Sequence, residues 1–217
     1  MISKKSQNVI NIISWISVSG IAVGTMALII VLSAFNGLET LVENLYASFD
    51  PDLKITLVEG KTFAVKDFPK DKILEIEEVQ FYNSALEEVA LIKYQDKQTV
   101  ATIKGVEGSF YTMSGIDTMM IEGKVNHTSD TKNSIIMGWG IADQLSLFIS
   151  QSVYQVSIIV PKRGIKKGIS PGSEFNRKMA NATGIYSVNP DFDSKYVVAD
   201  LSFVQKLLKH KGKLSSV

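Results

Sequence analysis

The stretch from Ile12 to Ala34, IISWISVSGIAVGTMALIIVLSA, decides how this chain is organised. It lies within a longer run, between Lys5 and Glu39, in which no residue is charged. A helix that crosses the hydrocarbon core of a bilayer needs about 20 apolar residues, and this stretch provides them. A secretory signal peptide is the alternative, but its apolar region would be only about 7–15 residues long. We therefore predict a retained transmembrane helix.

The charges on either side of this helix indicate its orientation. Lys4 and Lys5 precede it, whereas acidic side chains follow it, beginning with Glu39. Basic flanking residues stay on the cytoplasmic side of a membrane. We therefore expect residues 1–8 in the cytoplasm, the transmembrane helix at 9–37 and the rest of the chain on the far side.

The helix is predicted to continue above the membrane over residues 38–50. Apolar residues recur there at spacings of three and four, which is the pattern of an amphipathic helix: Leu38, Leu41, Val42, Leu45 and Phe49. Pro51 ends this extension, because proline disfavours helical geometry at the residue before it. An apolar stripe above the bilayer needs a partner helix, from this chain or from another.

Gly20 and Gly24 lie four residues apart within the membrane helix. Small residues at this spacing let a second helix approach closely, and such packing drives helix association in lipid. Glycine is also common in membrane helices without any such role. We predict a helix-packing site at these two glycines, with ordinary glycine tolerance as the alternative.

Residues 51–217 are predicted to form an α+β domain of mixed small sheets and short helices. Apolar or alternating runs predict strands at Leu53–Val58, Val79–Tyr82, Glu88–Tyr94, Thr99–Val106, Ser134–Met137, Tyr154–Val160 and Tyr196–Ala199. Helical patterns occupy Lys70–Glu78, Trp139–Phe148 and Leu201–Leu208. Asp200 precedes the last of these helices and is a favourable N-cap residue.

The segment 161–178, PKRGIKKGISPGSEFNRK, interrupts this alternation. It carries six basic residues and a single acid, and its glycines and prolines prevent a continuous helix. This composition is typical of an exposed, cationic, turn-rich arm. The arm is a solvated loop, a contact for anionic membrane lipid or a partner-binding element. For partner binding, the candidate residues are Lys162, Arg163, Ile165, Lys166, Lys167, Ile169, Pro171 and Phe175.

The residue inventory argues against catalysis. Without cysteine there is no disulfide, no thiolate nucleophile and no Cys-ligated metal. The two histidines, His127 and His210, are far apart in the sequence, so a His-based metal site or catalytic triad is not expected. Phosphate-binding and nucleophile-elbow motifs do not occur. With a net charge of +1, we predict no nucleic-acid partner, no cofactor, no metal and no catalytic residue.

Ile13–Gly37 followed by Glu39 resembles the first membrane helix of the LolC/LolE lipoprotein-releasing permeases. These permeases belong to the wider group of FtsX- and MacB-like ABC transporter permeases. The resemblance extends along almost the whole chain, through four shorter matches in the same order: Asp52–Thr56, Lys104-Gly105-Val106, Ile135-Ile136-Met137-Gly138 and Val197–Leu208.

The resemblance implies a non-catalytic permease subunit in the bacterial inner membrane, with a MacB-like periplasmic core domain between its first two membrane helices. It implies that two permease subunits and a cytoplasmic ATPase dimer extract lipoproteins and pass them to a periplasmic carrier, LolA. In this family a β-hairpin arm that recruits the carrier follows the strand that Tyr154–Val160 resembles. The basic arm at 161–178 occupies that place, which favours partner binding.

Two other functions are implied by the wider group. A MacB-like efflux permease would contact a periplasmic adaptor, but that group carries its ATPase before the first span and nothing precedes Met1. An FtsX-like regulator would activate cell-wall hydrolases, but its outer domain is usually smaller and lacks the arm. An anchored enzyme is disfavoured by the residue inventory. Because the chain ends at Val217, before the second to fourth membrane helices, we expect a fragment of a longer permease.

Overall fold

The computed structural model describes residues 5–47, 51–125, 133–149, 154–162 and 174–217. The chain divides into two units at the end of helix α1 (Lys5–Ala47), which forms the first unit. Side chains 9–39 of α1 are exposed, which suits a helix whose surroundings are lipid.

The second unit is an α+β domain. Its strands are β1 (Phe63–Ala64), β2 (Ala85–Tyr94), β3 (Lys97–Val106), β4 (Met120–Gly123), β5 (Ser134–Gly138), β6 (Tyr154–Pro161), β7 (Phe175–Tyr186), β8 (Tyr196–Asp200) and β9 (Lys213–Leu214). Its helices are α2 (Lys70–Leu74), α3 (Ser109–Ser114), α4 (Trp139–Leu145), α5 (Pro190–Asp193) and α6 (Leu201–Leu208). The predicted α+β fold with short helices is confirmed.

Among the described residues, seven strands form a mixed sheet in the order β4-β7-β5-β8-β3-β2-β6, and β1 pairs with β9 separately. Strand β6 also pairs with β7, so six strands close into a ring to which β4 is added. This closure depends on the length of β7, whose first part pairs with β6 and whose last part pairs with β5 and β4. Closing a sheet on itself removes strand edges that would otherwise invite pairing with other chains.

One face of these strands carries the main hydrophobic core, and we call it the core face. Successive strand residues point to opposite faces, so Leu86 and Ile92 of β2 join Ile158 of β6 on this side. Helices α4 and α6 add apolar side chains to the same core, including Leu145 and Phe203. Helix α6 begins where the Asp200 carboxylate accepts hydrogen bonds from two backbone N–H groups.

A second apolar cluster covers part of the opposite, outer face. Val106, Ile136 and Val198 of β3, β5 and β8 pack there with Phe110 of α3 and Phe192 of α5. This cluster lies over one side of the ring only. Tyr186 joins it from the end of β7, but among the described residues β2, β6 and the first part of β7 contribute no buried residue to it. The outer face of these strands is therefore available to contact other molecules.

Helix α5 is held against the junction of β5 and α4 by a very close backbone approach. A Cβ atom at Gly138 would lie 2.6 Å from the carbonyl carbon of Asp193, so only glycine fits there. This approach places the Asp193 carboxylate where the Ser187 hydroxyl donates to it at 2.8 Å and the Val188 N–H at 2.9 Å. The Asn189 side chain caps the same helix.

Several predicted elements are confirmed to within a few residues, including the strands at β2, β3, β5, β6 and β8 and the helix α6. Two predicted strands are wrong. Leu53–Val58 forms an isolated bridge only, at Thr56, and Val79–Tyr82 forms no strand, because neither segment lies along a strand of the main sheet. The helix predicted at Lys70–Glu78 already ends at Leu74.

Strand β7 is the element that sequence patterns missed. It begins inside the segment 161–178, so residues 175–178 of the predicted arm are strand and not turn. Arg177 and Lys178 hide the alternation that would have indicated a strand, and the following Ala and Asn residues have low β propensity. The strand forms because β6 and β5 provide partners for its backbone.

Candidate partner-binding site

Strands β6 and β7 form an antiparallel hairpin that carries the predicted arm at its turn. Their register ends at the pair Pro161–Phe175. One residue further, the Lys162 N–H donates to the Glu174 carbonyl at 2.7 Å, which continues the ladder toward the turn. The two described ends of the basic segment are therefore paired with each other.

Two of the predicted contact residues lie in the described part of the hairpin. Lys162 is half-buried directly after β6, and Phe175 is the first residue of β7. The hairpin brings these two ends of the arm together across its strands. The other predicted contact residues lie outside the described residues: Arg163, Ile165, Lys166, Lys167, Ile169 and Pro171.

The base of the hairpin is anchored in the core. Val156, Ile158 and Val160 of β6 are fully buried, and Ala180 and Ala182 of β7 are almost fully buried. Burying one Val or Ile side chain stabilises a fold by about 1.5–3 kcal/mol. The hairpin base is therefore a rigid platform, and the arm begins from a defined position.

The outer face of the same hairpin is apolar and exposed. Phe175 and Met179 of β7 are 49% and 46% exposed. They alternate with the buried alanines, so both point away from the core. Their register partners on β6 are Pro161 and Ser157, and Ile159 lies between these two on the same face.

Strands β2 and β3 extend this apolar surface away from the arm. Leu91 pairs in register with Ile159 on one side and with Val100 on the other, and Val100 is 64% exposed. Val89 lies on the same face of β2 and is also exposed. We call this set the outer row: Val89, Leu91, Val100, Ile159, Phe175 and Met179. Contiguous exposed apolar surface of this kind marks interaction sites.

Basic side chains border the outer row. Lys93 of β2 and Arg177 of β7 are exposed and lie on the same face as the row. Lys93 is two residues after Leu91, and Arg177 stands between Phe175 and Met179. Lys178 points to the core side instead, with its Nζ 5.8 Å from the centre of the Phe203 ring. The outer face near the arm is therefore both apolar and positively charged, which suits an acidic partner that carries apolar side chains.

Sequence reasoning did not identify the outer row, although the residue pattern of β2 indicates an apolar outer face. The strand reads ALEEVALIKY, with Val89 and Leu91 on one face and Leu86, Ala90 and Ile92 on the other. Strands that are buried on both faces read as continuous apolar runs. In a strand with one exposed face, such a run indicates a docking surface.

The described residues contain no cluster of three or more His, Asp or Glu residues that could bind a metal ion. Shifted pKa values occur there at two tyrosines. Burial, helped by the Asp200 and Asp117 carboxylates, raises the pKa of Tyr111 to about 12. Burial also raises the pKa of Tyr186 well above its usual value, and its hydroxyl donates to the Tyr196 carbonyl at 2.8 Å. Both phenols stay protonated at neutral pH and act as packing groups.

Residues Val9–Glu39 of α1 form the one described helix that is long and apolar enough to cross a membrane. Gly20 and Gly24 lie about one turn apart on it, and a Cβ atom at either would meet open space. A second helix could therefore approach this face closely. Association at these glycines stays a prediction.

Comparison with known proteins places the chain in a family. The sequence matches the MacB-like periplasmic core domain over residues 14–161, which is more than half of the chain. No curated protein matches it by sequence.

Two solved structures align with this chain, and the first of them is similar in fold. The extracellular domain of the noncanonic ABC-type transporter YknZ from Gram-positive bacteria has a TM-score of 0.52 at 11% identity, over 75% of this chain and 79% of that one. The periplasmic region of MacB from Actinobacillus actinomycetemcomitans has a TM-score of 0.49 at 10% identity, over 75% and 64%. The chain belongs to the MacB-like periplasmic core domain family, a domain of ABC transporter permeases.

Proposed function

We propose that this chain is part of a permease subunit that releases lipoproteins from the inner membrane to a soluble periplasmic carrier. The observation that carries the proposal is the β6–β7 hairpin. Its base is buried in the core, its outer face is apolar, and four basic residues follow β6 in the sequence: Lys162, Arg163, Lys166 and Lys167.

The basic and the apolar residues have different roles in this proposal. Long-range attraction between the basic arm and an acidic carrier raises the rate of encounter. Apolar side chains that become buried at the contact hold the complex together, and these are Ile165 and Ile169 of the arm with Phe175 and Met179 beside it. The basic residues of the arm therefore control association, and the apolar residues in and beside the arm control dissociation.

The proposal also assigns an orientation and partners to the membrane helix. Helix α1 crosses the bacterial inner membrane with its N-terminus in the cytoplasm, and the domain lies in the periplasm. A second permease subunit packs against α1 at Gly20 and Gly24. A cytoplasmic ATPase dimer supplies the energy, and the lipid anchors of the transported lipoproteins leave the bilayer beside these helices.

Binding kinetics between the full chain in detergent micelles and the carrier of the same organism test the proposal. Changing the four basic arm residues to Ser should slow association several-fold and flatten its dependence on salt. A matched control changes four exposed lysines elsewhere on the domain to Ser and should leave binding unchanged: Lys66, Lys72, Lys206 and Lys211.

The apolar contribution needs a separate variant. Changing Phe175 and Met179 to Ser should raise the dissociation rate on the order of tenfold while the association rate changes little. Equal binding by all variants would refute the role of the hairpin. Binding to a periplasmic adaptor or a cell-wall hydrolase, with none to the carrier, would favour the efflux or regulatory function instead.

A further inference from the structure

Residues 53–65 connect the helix unit to the sheet, and we call them the strap. The strap is hydrogen-bonded to the last residues of the chain. The Ile55 N–H donates to the Val217 carbonyl at 2.8 Å, and the Val217 N–H donates back to Ile55 at 3.1 Å. Further along, β1 pairs with β9 and the Val65 N–H donates to the Gly212 carbonyl at 2.9 Å.

The C-terminal residues lie between the strap and the main sheet. Ser216 pairs with Thr56 on one side and with Ala85 at the start of β2 on the other. The Ser215 hydroxyl accepts a hydrogen bond from the Glu87 N–H at 2.9 Å and donates to the Ala85 carbonyl at 3.1 Å. Residues 213–217, which we call the C-terminal strand, are therefore fixed to the sheet, whereas these strap hydrogen bonds reach the sheet only through them.

Two lysines attach the strap to β2 directly. Lys54 Nζ lies 3.7 Å from a carboxylate oxygen of Glu87, and Lys61 Nζ lies 3.5 Å from one of Glu88. The two glutamates are adjacent in β2, so they point to opposite faces and the strap holds both sides of the strand. Glu87 also pairs with Lys104 at 3.5 Å, so its charge stays balanced when Lys54 leaves.

The strap is attached to the rest of the domain mainly through exposed residues. The Lys54 and Lys61 side chains are 44% and 71% exposed, their partners Glu87 and Glu88 are 19% and 8% exposed, and most strap residues are exposed. Segments with few buried apolar contacts and exposed backbone hydrogen bonds open at lower free energy than the core of a domain. Any displacement of α1 that travels along the chain reaches the strap before it reaches the sheet.

We propose that the strap is a releasable clasp. It detaches from the C-terminal strand as one unit, while that strand and the ring of strands stay in place. Release would expose the N–H groups of Ile55, Val65 and Val217 together, and we call these three the ladder amides. The Ser216 N–H would stay protected, because it donates to Ala85 of β2.

Amide hydrogen exchange of the full chain in detergent micelles, measured residue by residue, tests this. Changing Lys54 and Lys61 to Gln should accelerate exchange of the ladder amides about two- to tenfold, with the Ser216 amide unchanged. Raising the salt concentration should have the same effect on the unmodified chain. The matched control changes Lys66 and Lys72, exposed lysines of the same region, to Gln and should leave the exchange of the ladder amides unchanged.

A disulfide provides a second and independent test. Thr56 and Ser216 form a non-hydrogen-bonded antiparallel pair, where Cα atoms lie about 4.5 Å apart and a disulfide can form. The chain has no cysteine, so Thr56→Cys with Ser216→Cys creates one defined bridge. Oxidation should slow exchange of the ladder amides, and reduction should restore it.

Three results of the lysine experiment would overturn the clasp. The first is independent exchange of the three ladder amides, and the second is acceleration of the Ser216 amide together with them. The third is equal behaviour of the Lys54 and Lys61 variant and its control. An oxidised bridge that leaves the exchange of the ladder amides unchanged would also refute release at this position, whatever the lysine variants show.

Discussion

Replacing Gly138 by Ala tests whether the close approach of α5 holds the domain together. Gly138 has φ −68° and ψ 151°, a conformation that alanine adopts without strain. The only obstacle to a methyl group is therefore contact with Asp193, whose carbonyl carbon would lie 2.6 Å from the new Cβ. Because both sides of this contact are backbone, no side-chain rotation can relieve it, and α5 has to move away from β5.

The cost follows from what α5 holds in place. Inserting a methyl group into a packed site costs about 1–3 kcal/mol. Movement of α5 also weakens the bonds that Ser187 and Val188 donate to the buried Asp193 carboxylate, and a hydrogen bond to a charged group contributes about 1.5–3 kcal/mol. The backbone shift relieves part of the clash and part of the hydrogen-bond loss. We therefore expect the free energy of unfolding to fall by about 2–5 kcal/mol.

Urea denaturation followed by circular dichroism measures this loss. The matched control is Gly108→Ala, since Gly108 has φ −58°, and a Cβ there meets no atom within 4 Å. That control should be neutral or stabilising by up to about 1 kcal/mol. If the mechanism is correct, adding Asp193→Asn to Gly138→Ala should cost less than the sum of the single changes. A Gly138 variant as stable as the Gly108 variant would refute the argument.

Two further predictions concern the membrane helix and pH. Gly20→Ile with Gly24→Ile should weaken self-association in a membrane two-hybrid assay. The control Gly37→Ile, on another side of α1, should not weaken it. Equal signals from the two variants would mean that Gly20 and Gly24 make no contact. In the unfolded chain Tyr111 loses its proton near pH 10, whereas in the folded protein its pKa is about 12. Between these pH values the folded state binds more protons than the unfolded state, so the free energy of unfolding should fall as pH rises. Tyr111→Phe should reduce that fall in denaturation curves, and an unchanged slope would contradict the raised pKa.

The sequence alone indicated α1, α2, α4, α6 and many of the strands, because these depend on local patterns, whereas the short helices α3 and α5 were not predicted. The uncharged run around Gly20 and Gly24 predicted an apolar helix, and α1 contains it. Alternating apolar residues predicted β2, β3 and β6, and the Asp200 N-cap predicted the start of α6. Each of these signals is contained in a few neighbouring residues, so no knowledge of distant partners was needed.

The candidate site was indicated only in part. The basic composition of residues 161–178 predicted an exposed arm, and the structure shows that its ends are the paired strands of a hairpin. Phe175 was identified from the sequence, whereas Met179 and Val100 were not. Their exposure follows from which face of the sheet the second apolar cluster covers, and that depends on helices distant in the sequence.

Tertiary structure alone decided strand pairing. Strand β7 has a weak local pattern and forms because β6, β5 and β4 all pair with it, and this pairing closes the ring. Leu53–Val58 has a strong strand pattern, yet it pairs only at Thr56, because the C-terminal strand occupies the edge of β2 beside it. Side-chain periodicity reports which residues avoid water, but backbone hydrogen bonds require a partner, and the partner is set by contacts far apart in the chain.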